Sequence, residues 1–153
     1  MSHVSTIKLV VEDLDAMEEA CKLIGCELVR GQKTFKWYGR WMNDYDATDA
    51  AYRQGIKPED YGKCEHAIRV KGANDKTYEV GLVKNPNGPG WVPIYDFFAR
   101  GYGLQDAVGD GAGNLRREYA LQVGMREFAR KGFRTERRIN PVTQKAQMRA
   151  WRS

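Results

Sequence analysis

Thr77-Tyr78-Glu79-Val80-Gly81-Leu82-Val83-Lys84, then Asn85-Pro86-Asn87-Gly88-Pro89-Gly90, then Trp91-Val92-Pro93-Ile94-Tyr95: the middle of the chain spells a strand, a turn and a returning strand. Tyr78, Val80 and Leu82 alternate with Glu79 and Gly81, the period of two that a pleated strand requires. The Asn, Pro and Gly run supplies residues that tolerate turn dihedrals, so the two strands are read as a hairpin. Just upstream, Ile68 and Val70 alternate with Arg69 and Lys71, which predicts a further strand over His66–Lys71.

Working outward, Val4 to Val11 reads as a strand with Ile7, Leu9 and Val11 on one face. Asp13 offers an N-cap, Leu14, Met17, Cys21 and Ile24 recur at helical spacing, and Gly25 supplies the stop. Cys26 to Val29 returns as a short strand and Lys33 to Tyr38 as another. On the C-terminal side, Asp96 to Val108 is read as holding a short helix before the loop Gly109-Asp110-Gly111-Ala112-Gly113. Asn114 is expected to cap a longer helix to Lys131, with Leu121, Gly124, Met125 and Phe128 as its inward stripe. Phe133–Ile139 and Gln144–Trp151 flank Asn140-Pro141-Val142-Thr143 as a closing hairpin. Strands in runs with helices between them argue an α+β fold, a mostly antiparallel sheet packed against two main helices. No clean period runs from Gly39 to Lys63, and such a long excursion in a compact domain is expected to be functional or to form oligomer contacts.

The chain has 153 residues, the size of one domain (1–153). Its composition, 42% hydrophobic and 29% charged, excludes collagen-like and disulfide-scaffold classes. No apolar run approaches the ~20 residues that cross a bilayer, so no membrane partner is expected. Met1-Ser2-His3-Val4-Ser5 lacks the basic and apolar regions of a signal peptide, and three cysteines fit free thiols, so the expected location is cytoplasmic. Charge is divided unevenly. Residues 116–153 carry 11 basic side chains against Glu118, Glu127 and Glu136, a net of +8, while residues 1–115 carry a net of −3. A basic module of this kind attracts phosphate-rich partners.

Two clusters carry binding chemistry. Lys36, Trp37, Tyr38, Arg40 and Trp41, with Lys33 nearby, interleave cations with flat aromatic faces, which suits a nucleobase and its phosphates. On the long helix, Tyr119, Val123, Arg126 and Arg130 share a face with Arg116 beside them, an arrangement of guanidinium groups that suits a phosphorylated ligand. Other chemistries fail on spacing. The Gly109–Gly113 loop lacks the Gly-Lys-Ser/Thr ending of a phosphate-binding loop. Cys64-Glu65-His66 has no second ligand pair for zinc, and Asp44, Asp46 and Asp49 lack the glycine and closing Glu of a calcium loop. A Cys64 nucleophile would need His3 or His66 as base. No catalytic residue, metal ligand or cofactor is assigned on these grounds.

Several stretches together resemble one family. They are Met1-Ser2-His3-x-Ser5-x-Ile7-Lys8, Trp37-Tyr38-Gly39-Arg40-Trp41, Gly62-Lys63-Cys64-x-His66-Ala67-Ile68, Tyr78-Glu79-Val80-Gly81-Leu82-Val83, and Gly109-x-Gly111-Ala112-Gly113-x-Leu115 with Tyr119-Ala120. The chain is similar in these to the chloroplast hypothetical reading frame thirty-five family, a domain of unknown function found also in cyanobacteria, other bacteria and tailed phages. The tryptophan-bearing block resembles the phage-type branch. The resemblance implies no established activity or catalytic residue; family members encoded near AAA-type ATPases imply such an ATPase as a partner.

The expected function is that of a non-enzymatic binding protein, a phage-type accessory that captures a small nucleotide-like anion between the aromatic block and the basic module, sequestering a host nucleotide signal in the host cytoplasm. One alternative is nucleic-acid binding by the C-terminal helix and hairpin; another is an adaptor or regulator of an AAA-type ATPase that docks through 39–63. Four Trp, eight Tyr and five Phe are more than so small a core uses, which points to a homo-oligomer.

Overall fold

A computed structural model describes residues 4–6, 9–37, 62–96 and 98–152. The excursion expected at 39–63 therefore falls outside the described residues up to 61, together with its proposed role as an ATPase-docking segment.

The hairpin read from the sequence is the centre of the sheet. β1 (Val4–Thr6), β2 (Cys26–Arg30), β3 (His66–Val70), β4 (Val80–Lys84) and β5 (Trp91–Asp96) form an antiparallel sheet in the order β1-β5-β4-β3-β2. Lys84 pairs with Trp91 and Gly81 with Ile94 across the turn, and Asn85 N donates to the Gly90 carbonyl at 3.0 Å. Beyond β1, Val11 bridges to Trp91. β4 begins at Val80 rather than Thr77, and Lys33–Trp37 forms no strand: among the described residues its one ladder contact is a bridge from Thr34 to Lys63.

One face of the sheet is covered by helices. α1 (Leu14–Leu23) starts where Asp13 Oδ1 accepts from Ala16 N at 3.0 Å, and it buries Ala16, Met17, Ala20 and Cys21. α2 (Leu104–Val108) and the long α3 (Gly113–Arg130) complete this layer. Leu28, Ile68, Val80, Leu82 and Tyr95 from the sheet meet Met17, Leu104, Leu115 and Tyr119 in the larger core. The other face has a smaller core of Phe35, Cys64, Ala67, Val92 and Ile94, with Trp37 and Val83 packed against it. Here the 32–37 segment replaces a helix. Its Phe35 ring lies against Gly81, where any Cβ would collide with the ring. The alternation of Leu82 and Ile68 to one side with Gly81 and Ala67 to the other is the period of two expressed as two separate cores.

α3 differs from its expected phase. Asn114 lies inside it and donates through Nδ2 to the Ala107 carbonyl at 3.4 Å, instead of capping it. Its fully buried side chains are Leu115, Glu118 and Tyr119, whereas Leu121, Gly124, Met125 and Phe128 are half-buried. The reason is a second packing partner. β6 (Arg134–Ile139) and β7 (Ala146–Trp151) form a separate two-stranded ribbon against the helix, so α3 has one side toward α1 and the sheet and another toward the ribbon. Met148 lies against Gly124, and the Arg137 guanidinium donates twice to the Glu118 carboxylate, at 2.6 and 2.9 Å. Glu118 is 1% exposed, and this bidentate pair, with Arg117 at 3.8 Å, satisfies its carboxylate in the interior. The short helix expected over 96–108 divides: Ala99, Arg100, Gly101 and Tyr102 all adopt left-handed dihedrals before α2 begins.

Candidate functional site

The sequence places Lys36 and Trp37 directly after Phe35, whose burial on Gly81 fixes the segment. Glu79 pins it further, because Glu79 Oε1 accepts from Lys36 N at 3.0 Å and from Gln32 Nε2 at 3.1 Å, while Glu79 N donates to the Lys36 carbonyl at 3.0 Å. Trp37 is half-buried, with its indole over Gly62: a Cβ there would lie 2.6 Å from Nε1, and the backbone φ of +89° suits glycine alone.

Opposite this segment stands Tyr102 on the left-handed turn. Three of the four turn residues are not glycine, and a left-handed conformation costs such residues about 1–2 kcal/mol each. Tertiary bonds hold the turn: Tyr78 N donates to the Gly101 carbonyl at 2.9 Å, and Thr77 Oγ1 to the Tyr102 carbonyl at 3.0 Å. Tyr102 remains 48% exposed and meets buried Tyr78 edge to face, centroids 5.3 Å apart.

Together these residues bound a cleft of about 760 Å³, lined by Thr34, Phe35, Lys36, Trp37, Asp75, Lys76, Tyr78 and Tyr102. The volume is within the ~300–1,000 Å³ of small-ligand sites. Lys36 and Lys76 are exposed and neither has an ion pair among the described residues. Aromatic faces with two ammonium groups can stack a base and meet an anion, and the Asp75 carboxylate can accept from an amine or hydroxyl.

The other predicted residues fall elsewhere. Tyr119, Arg126 and Arg130, with Val123, line a different cleft of about 1020 Å³ beside the start of α1. There Tyr119 is buried, 5% exposed, and its hydroxyl accepts from the amides of Glu12 and Asp13 at 3.1 and 3.3 Å. It serves the entry to α1 and does not stand on a solvent face. Arg126 pairs with Asp13 at 3.1 Å and Asp15 at 3.6 Å, and Arg130 with Glu127 at 3.6 Å. Arg30 pairs with Asp15 at 2.6 Å, so each of the three guanidinium groups of this cleft already has a carboxylate partner. The same contact holds the Asp15 carboxyl below its usual range, the Arg30 hydrogen bond leading. Arg116 lines neither cleft and is exposed near Tyr95. Tyr38, Arg40 and Trp41 lie outside the described residues. The described residues thus bring Lys36 together with Trp37 and, separately, Tyr119 with Arg126 and Arg130; the two groups belong to opposite faces of the sheet.

Sequence reasoning missed Asp75, Lys76, Tyr78 and Tyr102. The signal for Tyr102 was its setting, Gly101-Tyr102-Gly103, where flanking glycines permit an unusual backbone. The thiol and imidazole of Cys64-Glu65-His66 are engaged separately. Cys64 Sγ donates to the Gln32 carbonyl at 3.1 Å, and burial pushes its pKa up to about 12. His66 Nδ1 accepts from Gly31 N at 3.0 Å, and its ring meets Trp91 edge-on at 5.0 Å. Among the described residues, no three His, Cys, Asp or Glu side chains converge on a metal position, and no helix is long and apolar enough to cross a membrane. No family model, curated protein or solved structure matches the chain.

Proposed function

We propose that this chain is a non-enzymatic binding protein that captures a small nucleotide-like anion in the cleft between Trp37 and Tyr102. What carries this reading is the placement of Lys36 and Lys76, neither ion-paired among the described residues, beside half-buried Trp37 and exposed Tyr102, the latter held by costly backbone geometry. The base stacks on the indole or phenol face, and the phosphates meet the ammonium groups. The left-handed turn keeps Tyr102 pre-positioned, so that binding does not have to order it. If the resemblance to the phage-type branch holds, the captured ligand is a host nucleotide signal.

Titration calorimetry with mononucleotides and cyclic oligonucleotides tests this. At least one is expected to release heat, with Tyr102→Ala weakening binding about 5- to 150-fold, the worth of one stacked base at ~1–3 kcal/mol. Lys36→Ala with Lys76→Ala is expected to remove the preference for phosphorylated over unphosphorylated nucleosides. Absence of heat from every member of the panel refutes the reading.

A further inference from the structure

The β6–β7 ribbon stands apart from the aromatic cleft and carries its own chemistry. Its cross-strand partners sort the side chains into two faces, because paired residues of an antiparallel ladder project to the same side. Thr135 with Ala150, Arg137 with Met148 and Ile139 with Ala146 form the face toward α3, as the Arg137–Glu118 and Met148–Gly124 contacts require. Arg134 with Trp151, Glu136 with Arg149 and Arg138 with Gln147 form the outward face. Arg134, Arg138, Gln147 and Arg149 are exposed there. Arg134 and Arg138 have no ion pair among the described residues, while Arg149 pairs loosely with Glu136 at 3.6 Å and lies over the Trp151 ring at 5.2 Å. From Phe133 to Arg152 there are six basic side chains against Glu136 alone.

From this arrangement we propose that the outward face of the ribbon binds B-form duplex DNA by entering its major groove. The size fits: two strands ~4.8 Å apart with their side chains enter a groove ~12 Å wide. Arg134 and Arg138, four residues apart on one face, are separated by about 13 Å, the span of roughly four base pairs. The residue types fit as well, since guanidinium groups meet phosphates or the guanine edge and the Gln147 amide matches the adenine edge. Charge complementarity sets the partner as a polyanion, and the shape of the ribbon selects the duplex. The major groove of A-form RNA is too deep and narrow to admit it. α3 holds the ribbon from behind through the pair of half-buried Arg137 with buried Glu118 and the Met148–Gly124 contact, which leaves the other face turned outward.

Fluorescence anisotropy of the full chain with a labelled DNA duplex of about 20 base pairs, across ~50 to ~200 mM salt, tests the proposal. Duplex DNA is expected to bind more tightly than duplex RNA or single strands, with affinity falling steeply as salt rises. The Arg134→Ala, Arg138→Ala double variant is expected to bind about tenfold more weakly, with a salt slope shallower by about 2, one counterion release per lost arginine. Both side chains are solvent-facing, so circular dichroism of that variant should match the parent. Glu136→Gln removes the one acid on the face and is expected to tighten binding about threefold, a gain that no folding defect would produce. No duplex binding at ~50 mM salt, equal or tighter binding of duplex RNA or single strands, or an unchanged slope in the double variant overturns the proposal. None of these outcomes depends on whether the aromatic cleft takes a nucleotide.

Discussion

His66 shows how a single side chain couples the sheet to pH. Its Nδ1 takes the Gly31 amide, a role open only to the neutral ring, and burial lowers its pKa from 6.5, assisted by Lys33 and Arg30 and opposed by Glu65. A base with a lowered folded pKa stabilises the fold above its unfolded pKa, and this stabilisation is lost as pH falls through the folded value. Urea midpoints at about pH 7.5 and about pH 5 are therefore expected to fall further in the parent than in His66→Asn, whose amide does not titrate. Equal falls would remove His66 from the account. At this scale the sequence was informative wherever a residue's neighbours in the chain are also its neighbours in space. Lys36 and Trp37 were legible as an adjacent cation and ring. Tyr119 was not: whether a helical tyrosine ends at solvent or under α1 depends on what packs opposite, and residues 119 and 13 are far apart in the chain.

Among the elements, strands were read more surely than helix faces. β3 and β4 alternate apolar with polar or small residues, and turn residues lead on to β5, whose run is buried almost throughout because the sheet is covered on both faces. α3 has two packing partners, so no single apolar stripe records its orientation. The left-handed turn at 99–102 was illegible because Ala99 and Arg100 have no intrinsic preference for it; hydrogen bonds from Thr77 and Tyr78 impose it. The interface of α3 with the ribbon also leaves room at Gly124, where an added Cβ would lie 3.5 Å from the Met148 Sδ and Cε atoms, an ordinary contact. Gly124→Ala should therefore improve helix propensity without a clash and raise unfolding stability by about 0.5–1 kcal/mol in urea titrations. A loss of stability would mean that the helix and ribbon pack more closely than this.

Across the whole molecule, α+β class and antiparallel pairing followed from the order of strands, turns and helices. The ribbon's separation from the main sheet did not, since pairing between distant strands is decided by tertiary contacts rather than by any local pattern. That separation has a functional corollary. The aromatic cleft joins Phe35 and Trp37 of the smaller core to Tyr78 of the larger one, and none of its lining residues belongs to α3 or to the ribbon that stands on it. A nucleotide and a DNA duplex are thus expected to bind together, with saturating nucleotide changing duplex affinity less than about twofold, a coupling below ~0.4 kcal/mol in anisotropy titrations. Competition between them would place both ligands on one surface. The strand order has a different consequence, for synthesis on the ribosome. Among the described strands β1 pairs with β5 alone, Val4 opposite Asp96, so the strand of this sheet that is made earliest waits for about ninety further residues before its partner exists. At ~5–20 residues per second that is roughly 5–18 s, during which this segment lacks its sheet partner and is available to chaperones. The sheet closes at its first-made edge last.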